Sequence, residues 1–179
     1  MSEVVLIRTG TANLASVAAA FRRAGCGVHV SESSGDIAAA DRLVLPGVGA
    51  FGAVADCIDT LGLRAPLVER IEAGRPTMAV CLGLQMLAKA SEESPGAEGL
   101  GVIPATATRL TEGVRTPQLG WNRVDAHDGC GLLTDGDAYF ANSYKLDDVP
   151  DGWAGALTEH GGPFVAAVER GAVLACQFH

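Results

Sequence analysis

Between residues 4 and 87, short apolar runs alternate with stretches of helical period, and that alternation is the strongest constraint on the fold. Residues 4–7 form the first run, and Leu14, Val17, Ala18 and Phe21 then recur at helical spacing. Asn13 is placed to cap that helix and Gly25 to end it. Val28 and Val30 suggest a second strand, residues 42–45 a third and 77–80 a fourth. Helices are expected over 51–61 and around Leu67, Val68 and Ile71. Such alternation predicts a largely parallel sheet covered by helices. After about residue 95 the texture changes to runs rich in Val, Thr, Tyr and Phe at 106–110, 139–144, 164–168 and 173–178, a strand-rich second half. The longest loops are expected at 91–101 and 125–136. A single α/β domain with a mixed sheet fits the 179 residues best.

The composition narrows the function classes. Hydrophobic residues make up 48% and charged residues 19%, which suits a packed domain rather than a disordered or membrane-spanning chain. Thirteen Lys and Arg against 21 Asp and Glu give a net charge of −8, so the surface field repels phosphate backbones and anionic lipids. Nucleic acid and membrane are therefore excluded as expected partners. Five scattered cysteines with no CxxC pair suit a reduced, cytoplasmic protein.

The chemistry concentrates where the fourth strand runs into Cys81-Leu82-Gly83-Leu84-Gln85, the layout of a nucleophile elbow. A nucleophile on so tight a strand-to-helix turn needs small neighbours two positions away, here Ala79 and Gly83. The helix dipole is expected to favour the Cys81 thiolate, and the Leu82 amide to face a developing oxyanion. A glycine-rich turn, Leu45-Pro46-Gly47-Val48-Gly49-Ala50-Phe51-Gly52, follows the third strand. It formally matches GxGxxG, but it does not follow the first strand and has no acidic residue at the dinucleotide spacing. It also lacks the Gly-Lys-Ser/Thr of a Walker loop. The remaining use of such a turn is close backbone approach to a reacting carbonyl. The strand at 173–178 leads to His179, the general base that a cysteine nucleophile needs.

These segments, with Thr9-Gly10-Thr11-Ala12-Asn13-Leu14, Ser91-Glu92-Glu93-Ser94, Gly120-Trp121-Asn122 and Gln177-Phe178-His179, resemble the class I glutamine amidotransferases over essentially the whole chain. Within that family they are most similar to the glutaminase subunits of imidazole glycerol phosphate synthase, of histidine biosynthesis. The resemblance implies a flavodoxin-like mixed sheet and a glutaminase without cofactor or metal, in which Cys81 is the nucleophile and His179 the base. It implies oxyanion amides on Val48 and Leu82, glutamine-binding positions at Gly47, Gly49, Gln85, Ser143 and Tyr144, and a face toward a cyclase subunit at Asn13, Trp121, Asn122 and Tyr139. Ammonia would pass to that cyclase subunit, the partner in a heterodimer. Two alternatives stay open: an amidotransferase serving another acceptor, and a catalytically impaired subunit that braces the cyclase.

The sequence also departs from the pattern. Family members continue past the histidine with Pro-Glu, the Glu orienting the imidazole, and a closing helix, so the resemblance implies a chain truncated at its C-terminus. Arg8, Gln118 and Asn142 replace an acidic residue and two histidines of the common pattern, and are expected to alter coupling to the cyclase more than the thioester chemistry. The segment 125–130 reads as a solvated loop, His29 and His160 as structural or exposed, and Cys26, Cys57 and Cys176 as small buried hydrophobes.

Overall fold

A computed structural model of the chain describes residues 2–10 and 13–179; Thr11 and Ala12 of the first quoted motif lie outside the described residues. Five parallel strands form the first part of a nine-stranded sheet: β1 (Glu3–Ile7), β2 (Gly27–Ser31), β3 (Leu43–Gly47), β4 (Thr77–Cys81) and β12 (Val173–Cys176). Four antiparallel strands extend it: β7 (Gln118–Ala126), β8 (Gly136–Asn142), β10 (Ala154–Glu159) and β11 (Pro163–Arg170). The complete order is β2-β1-β3-β4-β12-β11-β10-β7-β8. A small second sheet joins β5 (Ala88–Ser91), β6 (Ile103–Arg109) and β9 (Tyr144–Lys145). The expected mixed α/β architecture with a strand-rich second half is what the chain adopts.

Strand periodicity explains how the central sheet is covered. Val5, Ile7, Leu43, Leu45 and Ala79 face one side, against α2 (Ser34–Ala39), α3 (Phe51–Thr60), α4 (Arg64–Glu72) and α5 (Leu82–Met86). Val4, Leu6 and Val44 face the other, against Ala18 and Phe21 of α1 (Leu14–Arg23). Strands covered on both faces read as unbroken apolar runs, as β1 and β3 do. Fully buried side chains such as Leu45 and Ile58 contribute about 1.5–3 kcal/mol each. The Asn13 side chain accepts from the Ser16 N–H and caps α1, and Gly25 leaves that helix at φ +82°, both as expected.

Strands β5, β7 and β10 carry no strand signal in the sequence, and two helices also differ from expectation. Residues 34–39 contain Ser, Gly and Asp and give no helical signal, yet form α2. Ser33 caps it, and the buried guanidinium of Arg70 binds the carbonyls of Ile37 and Ala40 at its end. The helix after the elbow is only five residues long. The carbonyls of Met86, Leu87 and Ala88 are taken instead by the N–H groups of Leu100, Ile103 and Gly101, and the chain turns into β5.

Candidate active site

β3, β4 and β12 lie side by side in the sheet and end at one edge, where open parallel sheets place their binding sites. Val48 and Gly49 follow β3, Cys81 ends β4, and His179 lies three residues beyond β12. All four line one cavity of 320 Å³. Leu82 and Gln85 of α5, Glu93, Pro117 and the segment 141–144 complete its walls.

Cys81 has φ 56° and ψ −110°, and among the described residues it alone reaches positive φ without being glycine. Such a conformation costs on the order of 1–3 kcal/mol and persists only where the surroundings impose it. Here they do. A Cβ on Gly83 would lie 2.2 Å from the Leu45 carbonyl oxygen, and one on Gly47 would lie 2.9 Å from the Leu82 Cβ. The glycine turn and the elbow are therefore packed backbone against backbone, which explains the small residues of both motifs. Ala50 supplies no side-chain cap to α3. Instead Glu93 Oε2 accepts from the Phe51 N–H at 2.6 Å, and Ser94 Oγ from the Gly52 N–H at 3.0 Å. The Ser91-Glu92-Glu93-Ser94 segment thus anchors the glycine turn and carries Glu93 into the cavity wall.

The electrostatics correct one expectation. Burial pushes the Cys81 thiol up to about 11, against smaller opposing effects from the Leu82 N–H and the Gln177 amide. A five-residue helix supplies little dipole, and desolvation wins. The His179 backbone N–H donates to the Tyr139 carbonyl at 2.8 Å, and desolvation holds its imidazole below the ordinary 6.5. A neutral thiol and a neutral imidazole therefore share the cavity at pH 7, with no hydrogen bond between them among the described residues.

The profile of the family described as glutamine amidotransferase class-I matches residues 5–179. The chain is 38% identical to the imidazole glycerol phosphate synthase subunit HisH of Symbiobacterium thermophilum, over all of this chain and 86% of that one. The chain belongs to the HisH family of class I glutamine amidotransferases. It is also 37% identical to the chloroplastic imidazole glycerol phosphate synthase hisHF of Arabidopsis thaliana, over 99% of this chain and 31% of that longer protein. A crystal structure of a glutamine amidotransferase superposes with a TM-score of 0.78 at 22% identity, covering 98% of this chain and 89% of the other. Another, from Thermotoga maritima, gives 0.66 at 17%, covering 99% and 75%.

Against the amidotransferase pattern, the cavity collects Cys81, His179, Val48, Leu82, Gly49, Gln85, Ser143 and Tyr144. Gly47 is not among its lining residues. It lines a neighbouring 280 Å³ cavity with Asn13, Val48, Tyr139 and His179, and its lack of a side chain serves the packing on Leu82. The Ser143 and Tyr144 carbonyls are already engaged, the first by the Leu110 N–H and the second by the Gln85 and Asn142 amides. Trp121 lies elsewhere, 74% exposed on β7, with its ring edge-on to Tyr139 at 5.9 Å. The Asn122 amide donates to the Glu159 carbonyl. Gln118 and Asn142 oppose each other in register, both buried, each with an unpartnered side-chain oxygen. Cys176 is buried as expected, whereas Cys26, in the turn between α1 and β2, and Cys57, on a partly exposed side of α3, are half-buried.

Sequence reasoning missed two residues. Glu93 was visible only as part of a motif without a role. Gln177 is wholly buried and donates from Nε2 to Cys81 Sγ at 3.6 Å. Its signal was the two-residue spacing from His179, which in an extended tail places both side chains on one side.

Proposed function

We propose that this chain, as one glutamine amidotransferase domain over residues 1–179, is the glutaminase subunit of an imidazole glycerol phosphate synthase. Its proposed reaction is hydrolysis of glutamine to glutamate and ammonia. The observation that carries the reading is the strained Cys81, held at φ 56° on the wall of a cavity that His179 also lines.

In this mechanism Cys81 Sγ attacks the side-chain carboxamide carbon of glutamine, and the oxyanion is held by the Leu82 and Val48 N–H groups. A thiol held up to about 11 keeps its proton at rest, so a base must accept it as the carbon–sulfur bond forms. The His179 imidazole, neutral at pH 7, takes that proton and returns it to the departing ammonia. Water then attacks the glutamyl thioester, releasing glutamate and restoring the thiol. Contacts of this kind are often long without substrate and tighten once it binds, in keeping with the separate thiol and imidazole here. Gly49, Gln85, Ser143 and Tyr144 orient the substrate, and neither cofactor nor metal is called on.

The ammonia is passed to a cyclase subunit. Leu119, Trp121 and Tyr139 are exposed on the β7–β8 hairpin, an aromatic and aliphatic patch of the kind that forms the centre of an interface. Asn13 and Asn122 belong to the same proposed partner face. Among the described residues no helix is long and apolar enough to cross a membrane. The five free cysteines suit the reducing cytoplasm.

The test is glutamate release from glutamine by the wild type and Cys81→Ala, with and without the cyclase subunit loaded with its nucleotide. Turnover lost in Cys81→Ala and raised by the loaded partner is expected. Turnover indifferent to the partner would point to another acceptor, and none in any mixture to a subunit that only braces the cyclase.

A further inference from the structure

Behind the nucleophile stands a chain of two side-chain amides: Gln85, which the reaction above uses only to orient substrate, and Gln177, to which it gives no role. Gln177 is fully buried, its backbone N–H fixed to the Ala166 carbonyl at 2.8 Å. Its Nε2 lies 3.6 Å from Cys81 Sγ, and its Oε1 accepts from Gln85 Nε2 at 2.9 Å. Gln85 Nε2 also donates to the Tyr144 carbonyl at 3.0 Å, so both of its amide hydrogens are used inside the protein. That arrangement fixes which way each amide points. A reversed Gln85 would set its oxygen against the Tyr144 carbonyl, and a reversed Gln177 would set two NH2 groups against each other. Gln177 therefore presents N–H, not oxygen, to the sulfur.

The geometry points to Gln177 as a positioning residue for the nucleophile: its amide N–H, oriented by Gln85, holds the Cys81 sulfur and stabilises the thiolate as its proton leaves. This rests on the reading of Cys81 as nucleophile. The sulfur needs such a donor because it is buried, and among the described residues the backbone N–H of Leu82 is the other donor that favours its charged form. The Leu82 N–H is also the group the mechanism assigns to the oxyanion, so as the carbon–sulfur bond forms it is drawn from sulfur to oxygen. Gln177, approaching from β12, has no such second task. The titratable groups around the sulfur are His179, Glu93 and Tyr144 on the cavity wall and the buried Cys176 thiol, which donates to the Phe178 carbonyl at 3.5 Å. Glu93 opposes the thiolate, and among the described residues no side chain of these four donates a hydrogen bond to the Cys81 sulfur.

Because Gln85 also holds the Tyr144 carbonyl, the same relay ties a wall of the glutamine cavity to the sulfur. Loss of the Gln177 amide is expected to loosen the nucleophile more than the binding of substrate.

The test is the pH profile of Cys81 alkylation by iodoacetamide, read by mass spectrometry of the Cys81 peptide, with the ultraviolet absorbance of the thiolate as a reagent-free check. Wild type is compared with Gln177→Glu, which keeps the acceptor for Gln85 but loses the donor, and with Gln177→Met, which loses both. Circular dichroism and Tm establish that each variant is folded. The Cys81-dependent alkylation rate at neutral pH is expected to fall about tenfold in Gln177→Met, the equivalent of raising the thiol pKa by about one. It should fall further in Gln177→Glu, whose carboxylate adds a like charge. The kcat for glutamate release should drop in parallel, with KM changed less than about twofold. Should neither substitution at position 177 give a folded protein, Gln85→Leu, which frees the Gln177 amide to rotate, is expected to move the profile in the same direction by less. An unmoved alkylation profile in a folded variant overturns the proposal. Cys81→Ala assayed in parallel for glutamate release tests the nucleophile separately: activity surviving there would refute that reading, whatever position 177 does.

Discussion

Replacing Gly83 with alanine sets two effects against each other, and the structure decides between them. Gly83 lies in α5, where alanine would ordinarily be favoured over glycine by about 0.8–1.0 kcal/mol. A Cβ there would stand 2.2 Å from the Leu45 carbonyl oxygen, a backbone atom of β3, and 3.5 Å from the Ala79 Cβ. β3 is paired with β4 in continuous register from Leu43 opposite Thr77 to Gly47 opposite Cys81, so the carbonyl has nowhere to swing. Restoring even a 3.0 Å contact requires α5 and β3 to part by about 0.8 Å. Overpacking of this kind costs about 1–3 kcal/mol, which outweighs the propensity gain and leaves Gly83→Ala destabilised by up to about 2 kcal/mol. Activity should fall further than stability. The displacement separates Cys81 and the Leu82 N–H from Val48 on the opposing turn, and a misplacement near 1 Å costs about a hundredfold in rate. Gly35 of α2 is the control, since a Cβ there meets only Ser33 Oγ at an ordinary 3.5 Å. Gly35→Ala should gain up to about 1 kcal/mol with unchanged turnover. The assays are urea unfolding and glutamate release for both variants and wild type. Wild-type turnover in Gly83→Ala with an undiminished unfolding midpoint would refute the reasoning.

Two further outcomes follow from the same structure. In the proposed reaction His179 must be neutral to accept the thiol proton, and desolvation holds its imidazole below 6.5. Activity therefore rises as pH increases through that lowered value, and the acid limb of kcat/KM is expected below pH 6.5; a limb above it would contradict the assignment. The buried Arg70 guanidinium binds the carbonyls of Ile37, Ala40, Asp41 and Pro76 and the Thr77 hydroxyl. Arg70→Met should lose about 2–4 kcal/mol in urea unfolding, because the Ile37 and Asp41 carbonyls lose the side chain that binds them, whereas the Ala40 carbonyl keeps the Arg75 guanidinium and the Pro76 carbonyl the Leu43 N–H; a change below about 1 kcal/mol would show that water replaces it.

The parallel half of the fold was legible because its strands are covered on both faces and its helices on one, which imposes apolar runs and helical period directly on the sequence. β7 was not, because Gln118–Ala126 alternates polar side chains on a half-exposed wing, and its most conspicuous residue, Trp121, lies on the outer face. α2 escaped for a different reason. Its stability is borrowed from Arg70, 33 residues away from Ile37, and no local pattern records such a bond.

The site divides along the same line. Cys81, Gly83 and the glycine turn were legible because steric need restricts the residue types allowed there, and restriction is what a sequence displays. The charge state of Cys81 was not, since it depends on how much water the finished fold removes, and the five-residue length of α5 is set by the returning segment at 99–103. Gln177 falls between these cases. Its side of the tail followed from its spacing to His179, but its partner did not, because the amide meets Cys81 across 96 positions of chain and is turned toward it by Gln85, 92 positions away. A residue whose role is to orient another through a third leaves only its buried polarity in the sequence. A wholly buried glutamine beside the strained Cys81 is thus better explained by the bond it makes than by the space it fills.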